Sequence, residues 1–354
     1  MKEKLIKAIS VILALSLIMC LFASCGNNEA EYNKTHEVEM NTEKPRDEEK
    51  YEVPDGVNPL TGKTDLTKEA QDTRPVAFMI ANTPEAGVPW GLSTADFVIE
   101  GLISEEKMGM MWVYGDSTKI PDKIGPIAEA DDHFAKLAKD MNAFYVYWGN
   151  ESAEKTDNID GVKYQSTYFF WDNSNSENYE YQRATSKKLI QSAISQLGYS
   201  KALESRDYAP YHVAVEGGKL PHTSSEFSGP CSAVTIDFTE NLVYNFQYDK
   251  TNGVYNKLIN EEAVVDEGGK ANGYKNVIYI FVPIEFVNGK AQWKYGAEGR
   301  GSYVSNGIGQ RIYWKIDSET KRLALYDFNY NPLIVNPGNV WLGVVPDGNT
   351  AVAV

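Results

Sequence analysis

Cysteine is scarce in this sequence, and the most recognisable catalytic motifs are missing. The 354 residues include only three cysteines, at positions 20, 25 and 231. The sequence contains no CxxC pair, HExxH zinc motif, phosphate-binding loop, dinucleotide fingerprint or serine nucleophile elbow. These absences argue against the common redox, zinc-protease, nucleotide-binding and α/β-hydrolase classes. We therefore predict no catalytic residue, no metal site and no cofactor.

Positive charge is also in short supply. The chain has 34 Lys and Arg against 49 Asp and Glu, which gives a formal net charge of −15. Binding to nucleic acid requires a stripe of Lys and Arg that neutralises phosphates, and no such stripe is visible. Nucleic acid is therefore not a predicted partner. Electrostatic docking on an anionic lipid or wall polymer is disfavoured for the same reason.

The longest apolar run is too short to span a membrane comfortably. Residues 8–22 are almost wholly apolar, whereas a spanning helix needs about 20 such residues. The run follows Lys2, Lys4 and Lys7 and leads into Ala23, Ser24 and Cys25. A basic start, an apolar core and small residues before a cysteine resemble a lipoprotein signal.

This signal predicts where in the cell the protein lies. We expect a signal peptide over residues 1–24, cleavage before Cys25 and lipidation of the Cys25 thiol. The lipid would anchor the protein to the cell membrane on its extracytoplasmic side. An ordinary secretory signal and an uncleaved anchor remain the alternatives. The exported part would keep only Cys231 and could form no intramolecular disulfide.

The segment after the cysteine is acidic and has little to bury. Residues 26–57 hold ten Asp and Glu and four Lys and Arg. High charge with few apolar residues predicts disorder, so residues 25–57 are interpreted as a flexible acidic tether. A flexible chain of this length has a root-mean-square span of about 30 Å.

The rest of the chain divides into two regions of different texture. Residues 58–216 alternate apolar runs with helical patterns, which predicts an α/β N-terminal domain with a mixed sheet and helices. Strands are expected at residues 74–80, 108–114 and 143–148, and helices at residues 94–102, 131–141 and 185–197. A linker is expected at residues 217–229.

Residues 230–354 predict a mainly antiparallel β C-terminal domain. Strand-like runs dominate this region, and Asn-Gly pairs at positions 252, 288 and 306 separate several of them. Asn-Gly between strand residues is the strongest short signal for a β-hairpin.

The order of short motifs along the chain resembles a known family, the YerB-like bacterial lipoproteins (domain-of-unknown-function family 3048, with N- and C-terminal modules). The resemblance rests on Asn58-Pro59-Leu60-Thr61-Gly62, Arg74-Pro75-Val76-Ala77, Gly91-Leu92-Ser93 with Ala95-Asp96, Lys123-Ile124-Gly125-Pro126, Tyr248-Asp249, Asn276-Val277-Ile278, and Trp341 with Val344-Val345-Pro346. It covers nearly all of the chain after the tether. It implies an extracytoplasmic location and a two-module fold, and no agreed activity.

The chain departs from the family pattern at two places. Where the family usually has Arg-Ser-Ala-Arg, this chain has Ala128-Glu129-Ala130-Asp131. Where the family usually has Pro-His-Asn, this chain has Glu180-Tyr181-Gln182. Arginine is suited to binding anions, so these changes would repel an anion that the family site might attract.

Two catalytic hypotheses compete with structural interpretations. Cys231 with His212 or His222 could form a thiol hydrolase, but a small packed cysteine at a strand entrance is the stronger interpretation. Among the acids, Glu100, Glu105, Glu106 and Glu129 could include a glycan-cleaving pair. No spacing in the sequence shows that any two of them converge.

Other polar residues are candidate ligand contacts. His133, beside Asp131 and Asp132, could hold a metal, but acids at a helix start are expected on electrostatic grounds. Asp96 and Arg183 are the predicted ligand-binding residues. Asp96 is expected in the first turn of a helix after a strand, where ligands of α/β sheets bind. Arg74 is expected to form a structural salt bridge.

These observations predict a membrane-anchored envelope lipoprotein that binds or scaffolds a wall polymer or an envelope protein without catalysis. An envelope hydrolase or transferase and a solute-binding lipoprotein are the alternatives. The sequence does not fix the ligand or the oligomeric state. A discriminating observation is whether polar residues of both regions meet in one pocket.

Overall fold

Strands of both halves of the chain build the fold. The computed structural model describes residues 51–149, 159–163, 167–218 and 228–354. The strands of the first half are β1 Val76–Asn82, β2 Phe97–Leu102, β3 Met108–Tyr114, β4 Phe144–Tyr147, β5 Gly161–Lys163, β6 Phe170–Trp171, β7 Arg183–Ala184 and β8 His212–Val213. Those of the second half are β9 Ser228–Pro230, β10 Ala233–Thr239, β11 Leu242–Asp249, β12 Val254–Ile259, β13 Glu262–Ala263, β14 Gly273–Tyr274, β15 Asn276–Val282, β16 Ile284–Val287, β17 Lys290–Trp293, β18 Glu298–Ser305, β19 Ile308–Ile316, β20 Leu323–Asp327, β21 Ile334–Val335, β22 Val340–Pro346 and β23 Ala351–Ala353.

The main sheet has eleven strands and is mixed. Its order is β20-β19-β18-β15-β22-β2-β3-β1-β4-β5, and β9 pairs with β19. Strand β22, from the end of the chain, lies between β15 and β2 and runs parallel to both. The two halves of the sequence are therefore joined by backbone hydrogen bonds inside a single sheet.

A second sheet is antiparallel throughout. Its order is β13-β12-β11-β10-β23, and β14 pairs with β12. Strand β10 alternates buried and half-buried residues, as expected for a sheet with one covered face. The Asn-Gly pairs at 252, 288 and 306 connect β11 to β12, β16 to β17 and β18 to β19, as predicted. The antiparallel β prediction for the C-terminal region is confirmed.

The first half has the predicted mixed sheet but few helices. Helix α1 spans Asp132–Asp140, and Asp131 caps its start by accepting hydrogen bonds from the amides of His133 and Phe134. Helix α2 spans Lys187–Gln196 and is capped by Ser186. Helix α1 packs on the main sheet, where a Cβ at Gly109 would lie 2.4 Å from the Phe134 ring. Only a glycine allows this approach.

The helix predicted at residues 94–102 is wrong. Residues Phe97–Leu102 form strand β2, which is buried along its whole length between β3 and β22. A short apolar run buried on both faces has no alternation, so periodicity cannot distinguish it from a buried helix. Asp96 therefore precedes a strand instead of opening a helix.

Several predictions fall wholly or partly on residues outside the described ranges. The signal peptide, Cys25 and residues 25–50 of the tether lie outside them, as do residues 219–227 of the predicted linker. The described residues belong to one compact unit, Glu48–Val354. In the described chain, no helix is both long and apolar enough to cross a membrane.

Candidate functional site

A buried carboxylate lies where the two sheets face each other. Glu100 of β2 is fully buried. It pairs with Met110 across β3, while Asn82 at the end of β1 pairs with Met108. Because residues two apart on a strand share a face, Glu100 and Asn82 point to the same side of the main sheet.

The second sheet supplies the counter-charge. Lys257 of β12 is only 3% exposed, and its ammonium forms an ion pair with Glu100 Oε1. Its neighbour across the strand pair is Phe246, so Lys257 occupies an inward position normally held by an apolar residue. The packing around it is aromatic, since its Nζ lies 4.1 Å from the centroid of the Tyr244 ring and 5.9 Å from that of the Trp341 ring.

Three further side chains donate hydrogen bonds to Glu100. Asn82 Nδ2 and Tyr244 Oη each lie 2.8 Å from Oε2, and Trp341 Nε1 lies 2.8 Å from Oε1. Gly343, paired with Glu100 across β22, makes room for the Trp341 indole, because a Cβ there would lie 2.3 Å from the ring. We call these five residues, Glu100, Lys257, Asn82, Tyr244 and Trp341, the Glu100 cluster.

Burial sets the electrostatics of the cluster. Desolvation lowers the pKa of Lys257, and the Glu100 carboxylate opposes this shift. A buried ion pair compensates for its desolvation only when the geometry is good and the remaining lone pairs are satisfied. The additional donors from Asn82, Tyr244 and Trp341 meet that requirement for Glu100.

The cluster borders a large cavity between the two sheets. The cavity has a volume of about 1150 Å³, and Asn82 and Tyr244 are among its lining residues. Its walls come from both halves of the sequence, with residues 82–92 and 106–108 on one side and residues 239–244 and 259–265 on the other. Polar residues of the two predicted regions therefore meet in one pocket.

A smaller cavity of about 520 Å³ adjoins it. The two cavities share five lining residues, which are Asn82, Thr83, Lys107, Met108 and Tyr181. We call the two cavities together the seam groove. Because the two chambers share these lining residues, together they offer a longer site than either chamber alone.

The two predicted ligand-binding residues lie in different places. Arg183 of β7 lines the smaller cavity, where its guanidinium stacks 3.7 Å above the Trp148 ring and donates to the Glu180 carbonyl at 2.6 Å. Asp96 is not among the lining residues of either cavity. Its carboxylate accepts from Asn58 Nδ2 and the Gly115 amide, both at 2.9 Å, and burial raises its pKa.

Both departures from the family pattern line the smaller cavity. Glu129 and Asp131 come from the first stretch and Glu180 and Tyr181 from the second. Asp131 also caps helix α1, and burial raises the pKa of its carboxyl group. Residues about 50 positions apart in the sequence thus share one wall of the groove.

The thiol-hydrolase hypothesis receives no support from the geometry. Cys231 is buried, and burial raises the pKa of its thiol to about 11, which disfavours the reactive thiolate. The His212 ring stacks on Tyr51 at 3.6 Å and lies 3.6 Å from the Asp207 carboxylate. His222 lies outside the described residues.

His133, Arg74 and Glu100 have structural partners. His133 stacks on Trp293 at 4.8 Å, and its Nε2 lies 3.2 Å from the Trp293 amide. Arg74 forms the expected ion pair, with Asp160. Of the weighed acids, Glu100 is held by Lys257, and Glu106 lines the larger cavity. Within the part of the chain that the structure describes, no group of three or more His, Cys, Asp or Glu residues is placed to hold a metal ion.

Sequence reasoning missed Asn82, Tyr181, Tyr244 and Lys257. One signal was available, because Lys257 lies two positions after the buried Tyr255 and so interrupts the inward face of an alternating strand. A lysine at such a position indicates a buried partner carboxylate. The identity of that partner, 157 residues away, was not readable from the chain.

Comparison with known proteins gives one family and one relative with a solved structure. Models described as "Protein of unknown function (DUF3048)" match residues 60–200 with the N-terminal domain and residues 234–342 with the C-terminal domain. The protein "Putative lipoprotein YerB" of Bacillus subtilis (strain 168) is 26% identical over 324 residues, which covers 86% of this chain and 92% of that protein. The crystal structure of YerB from Bacillus subtilis superposes with a TM-score of 0.69 at 22% identity, covering 84% of this chain and 99% of that one.

Proposed function

This chain belongs to the DUF3048 family of proteins of unknown function, and we propose that it is an envelope lipoprotein. In this proposal its seam groove binds a cell-wall polymer without catalysis. In this proposal a lipid on Cys25 holds the protein to the extracytoplasmic side of the cell membrane. Residues 25–57 act as the tether between the lipid and the folded part.

The observation that carries the binding role is the seam groove. It is lined by residues from both halves of the sequence, and its two chambers of about 1150 and 520 Å³ follow one another. Concave sites of this size that hold a few convergent polar groups are the usual binding sites of proteins. A chain-like polymer fits such a groove better than the flat surface of a folded partner does.

A non-catalytic role is supported by what the candidate catalytic groups contact. Glu100 is engaged by four donors, and the Cys231 thiol has a pKa of about 11. A general acid or nucleophile needs a free functional group whose pKa is near the working pH. These two residues do not offer one.

The anchor is supported by the sequence of residues 1–25 and by the name of the Bacillus subtilis relative, which describes that protein as a lipoprotein. Cells that express the full chain should yield a membrane-bound form whose mass includes a lipid on Cys25. The Cys25→Ser variant should lose that mass and leave the membrane fraction. An unmodified Cys25 in the membrane-bound chain would contradict the anchor.

The binding role is tested with purified sacculi. The full-length protein in detergent is mixed with sacculus fragments solubilised by a muramidase, and binding is measured by calorimetry. Ala263→Trp, which adds bulk at the exposed wall of the larger cavity, should weaken binding tenfold or more. Ala353→Trp is the matched control, since Ala353 is exposed in β23 of the same sheet and does not line the groove.

Two outcomes would overturn the proposal. The first is an absence of binding to the fragments by the folded wild-type protein, or equal binding by the two tryptophan variants. The second is release of soluble muropeptides from intact sacculi incubated with the protein, which would indicate a hydrolase instead.

A further inference from the structure

We propose that the exposed ring of Tyr179, which stacks on Trp171 beside the smaller cavity, binds a sugar ring of the wall polymer's glycan strand. We call Tyr179 and Trp171 the aromatic platform. This inference rests on the proposed binding role of the seam groove and names the chemical class of ligand that the groove takes.

The platform is a pair of stacked aromatic side chains that both reach solvent. Tyr179 is 62% exposed and Trp171 is 36% exposed, and their ring centroids lie 3.9 Å apart with the planes inclined by 21°. Among the described residues, Phe286 is the only other aromatic side chain exposed to at least this degree. Single exposed apolar residues need no explanation, but exposed apolar groups that gather in one place indicate a binding surface.

The platform offers one flat ring face to solvent. Trp171 covers one face of the Tyr179 ring, so the exposed area of Tyr179 belongs mainly to the opposite face. Trp171 is supported in turn by a buried cation. It pairs with Arg183 between strands β6 and β7, and the Arg183 guanidinium lies 5.5 Å from the Trp171 ring centroid.

Hydrogen bonds hold the loop that carries Tyr179. Tyr179 begins a single turn of 3-10 helix, at whose start the Asn178 side chain accepts from the Glu180 amide at 3.0 Å. The side-chain amide of Gln182 donates to the Ser176 carbonyl at 3.0 Å. A loop that is already ordered loses little conformational entropy when a ligand binds, so the platform is preorganised.

The platform adjoins the smaller cavity of the seam groove. Glu180 follows Tyr179 in the chain, Arg183 lies opposite Trp171 in the strand pair, and both Glu180 and Arg183 line that cavity. The two platform rings are not among the lining residues of either cavity. A chain-like ligand that occupies the smaller cavity can therefore continue over the platform.

The residues around the platform favour a sugar over other flat or apolar ligands. Two exposed acids, Glu177 and Glu180, lie within two positions of Tyr179 in the chain. Covering these carboxylates with a lipid or an apolar protein surface would be costly, and they would repel the phosphates of a nucleic acid. A pyranose ring presents an apolar C–H face that stacks on the electron-rich face of an aromatic ring, and hydroxyl groups that donate to carboxylates.

The test uses a glycan that carries no peptide. Glycan strands from sacculi are stripped of their peptides by an amidase, shortened by partial muramidase digestion and titrated into the full-length protein by calorimetry. The protein is kept in a detergent without a sugar headgroup, because a glycoside detergent would compete for the platform. The wild-type protein should bind these strands, since the platform contacts only sugar.

Three variants test the platform from the side of the protein. Tyr179→Ala removes the ring and should weaken binding of the peptide-free strands about three- to tenfold, the range of one aromatic contact. Tyr179→Phe keeps the ring and should bind as wild type does. Phe286→Ala is the matched control, because Phe286 is 40% exposed in β16 and does not line the groove. All three variants should keep the wild-type melting temperature, since the altered side chains are exposed.

Each outcome decides one proposal. Wild-type affinity of Tyr179→Ala for the strands overturns the platform, as does an equal loss of affinity in Tyr179→Phe or Phe286→Ala. The platform is also overturned if the protein binds muramidase-solubilised fragments but not peptide-free strands. In each of these cases the binding role of the groove stands if Ala263→Trp still weakens binding of the fragments. A folded protein that binds neither probe overturns both proposals.

Discussion

The central strands of the main sheet and the strands of the second sheet bury their residues differently. Strands β2 and β3 are buried at every position, because helix α1 covers one face and the second sheet covers the other. Strand β10 alternates buried and half-buried residues because only one of its faces is covered. The polar residues on the two facing surfaces, Glu100 and Lys257, pair with each other. The seam between a fully covered layer and a half-covered one is thus where the structure places the buried Glu100–Lys257 pair and the cavity of about 1150 Å³.

The largest expected effect comes from separating these charges. Glu100→Ala should destabilise the protein by about 3–5 kcal/mol, because it leaves the Lys257 ammonium buried and unpaired. Replacing both residues, with Glu100→Leu and Lys257→Met, should cost far less than the single change. Urea unfolding followed by tryptophan fluorescence measures both. A double variant as unstable as Glu100→Ala would show that the pair holds the seam in a way that apolar packing cannot replace.

Adjacent substitutions in the two kinds of strand should sharpen the comparison. In β3, Met110→Ala and Met111→Ala should each cost about 2–5 kcal/mol, since both side chains are buried on opposite faces. In β11, Phe246→Ala should cost about 3–5 kcal/mol, whereas Gln247→Ala should stay within about 0.5 kcal/mol. Urea unfolding followed by tryptophan fluorescence measures the stability of each of these variants. A large cost at exposed Gln247 would mean that the outer face of the second sheet is covered as well.

A smaller effect on stability is expected from the protonation of Asp96, which precedes strand β2. Burial raises the pKa of Asp96, so the folded protein binds a proton there more tightly than the unfolded chain does. This group therefore adds stability as the pH falls through its folded pKa toward the unfolded value of about 3.9. Asp96→Asn keeps an oxygen for the amide groups of Asn58 and Gly115. The variant should be slightly more stable than wild type at pH 7, and the advantage should shrink in acid. A constant difference between pH 7 and pH 4 would contradict this assignment.

The smallest effect on stability is expected at the groove itself. Tyr181→Phe should change the free energy of unfolding by less than about 0.5 kcal/mol, because its hydroxyl has no partner among the described residues. Tyr244→Phe should cost about 1.5–3 kcal/mol, because it removes a hydrogen bond to a charged group. Each of the two substitutions removes only the hydroxyl group of a tyrosine. Thermal melts measure the stability of both variants. If Tyr244→Phe were as stable as Tyr181→Phe, the hydrogen bond from Tyr244 to Glu100 would not stabilise the cluster as described.

The sequence predicted the local elements well where a pattern or a turn signal was present. Helix α1 with its acidic start, strand β3 and the Asn-Gly hairpins all occur where expected. The pattern of strand β2 predicts a helix wrongly, since burial on both faces erases the alternation that identifies a strand. The candidate site could be predicted only in part. Arg183 lies in the groove, but the ion pair of Glu100 with Lys257 depends on sheet packing that no local pattern encodes.

The position of β22 has a consequence for how the chain becomes folded. This strand is formed by residues Val340–Pro346, close to the end of the chain, yet it joins β15 to β2 in the middle of the main sheet. Until it arrives, each of its two neighbours keeps an unpaired edge, and such edges invite pairing with other chains. Pairings between distant parts of a sequence also form slowly. A chain cut short before residue 340 should therefore aggregate instead of folding halfway, and the main sheet can close only after residues 340–346 have been made.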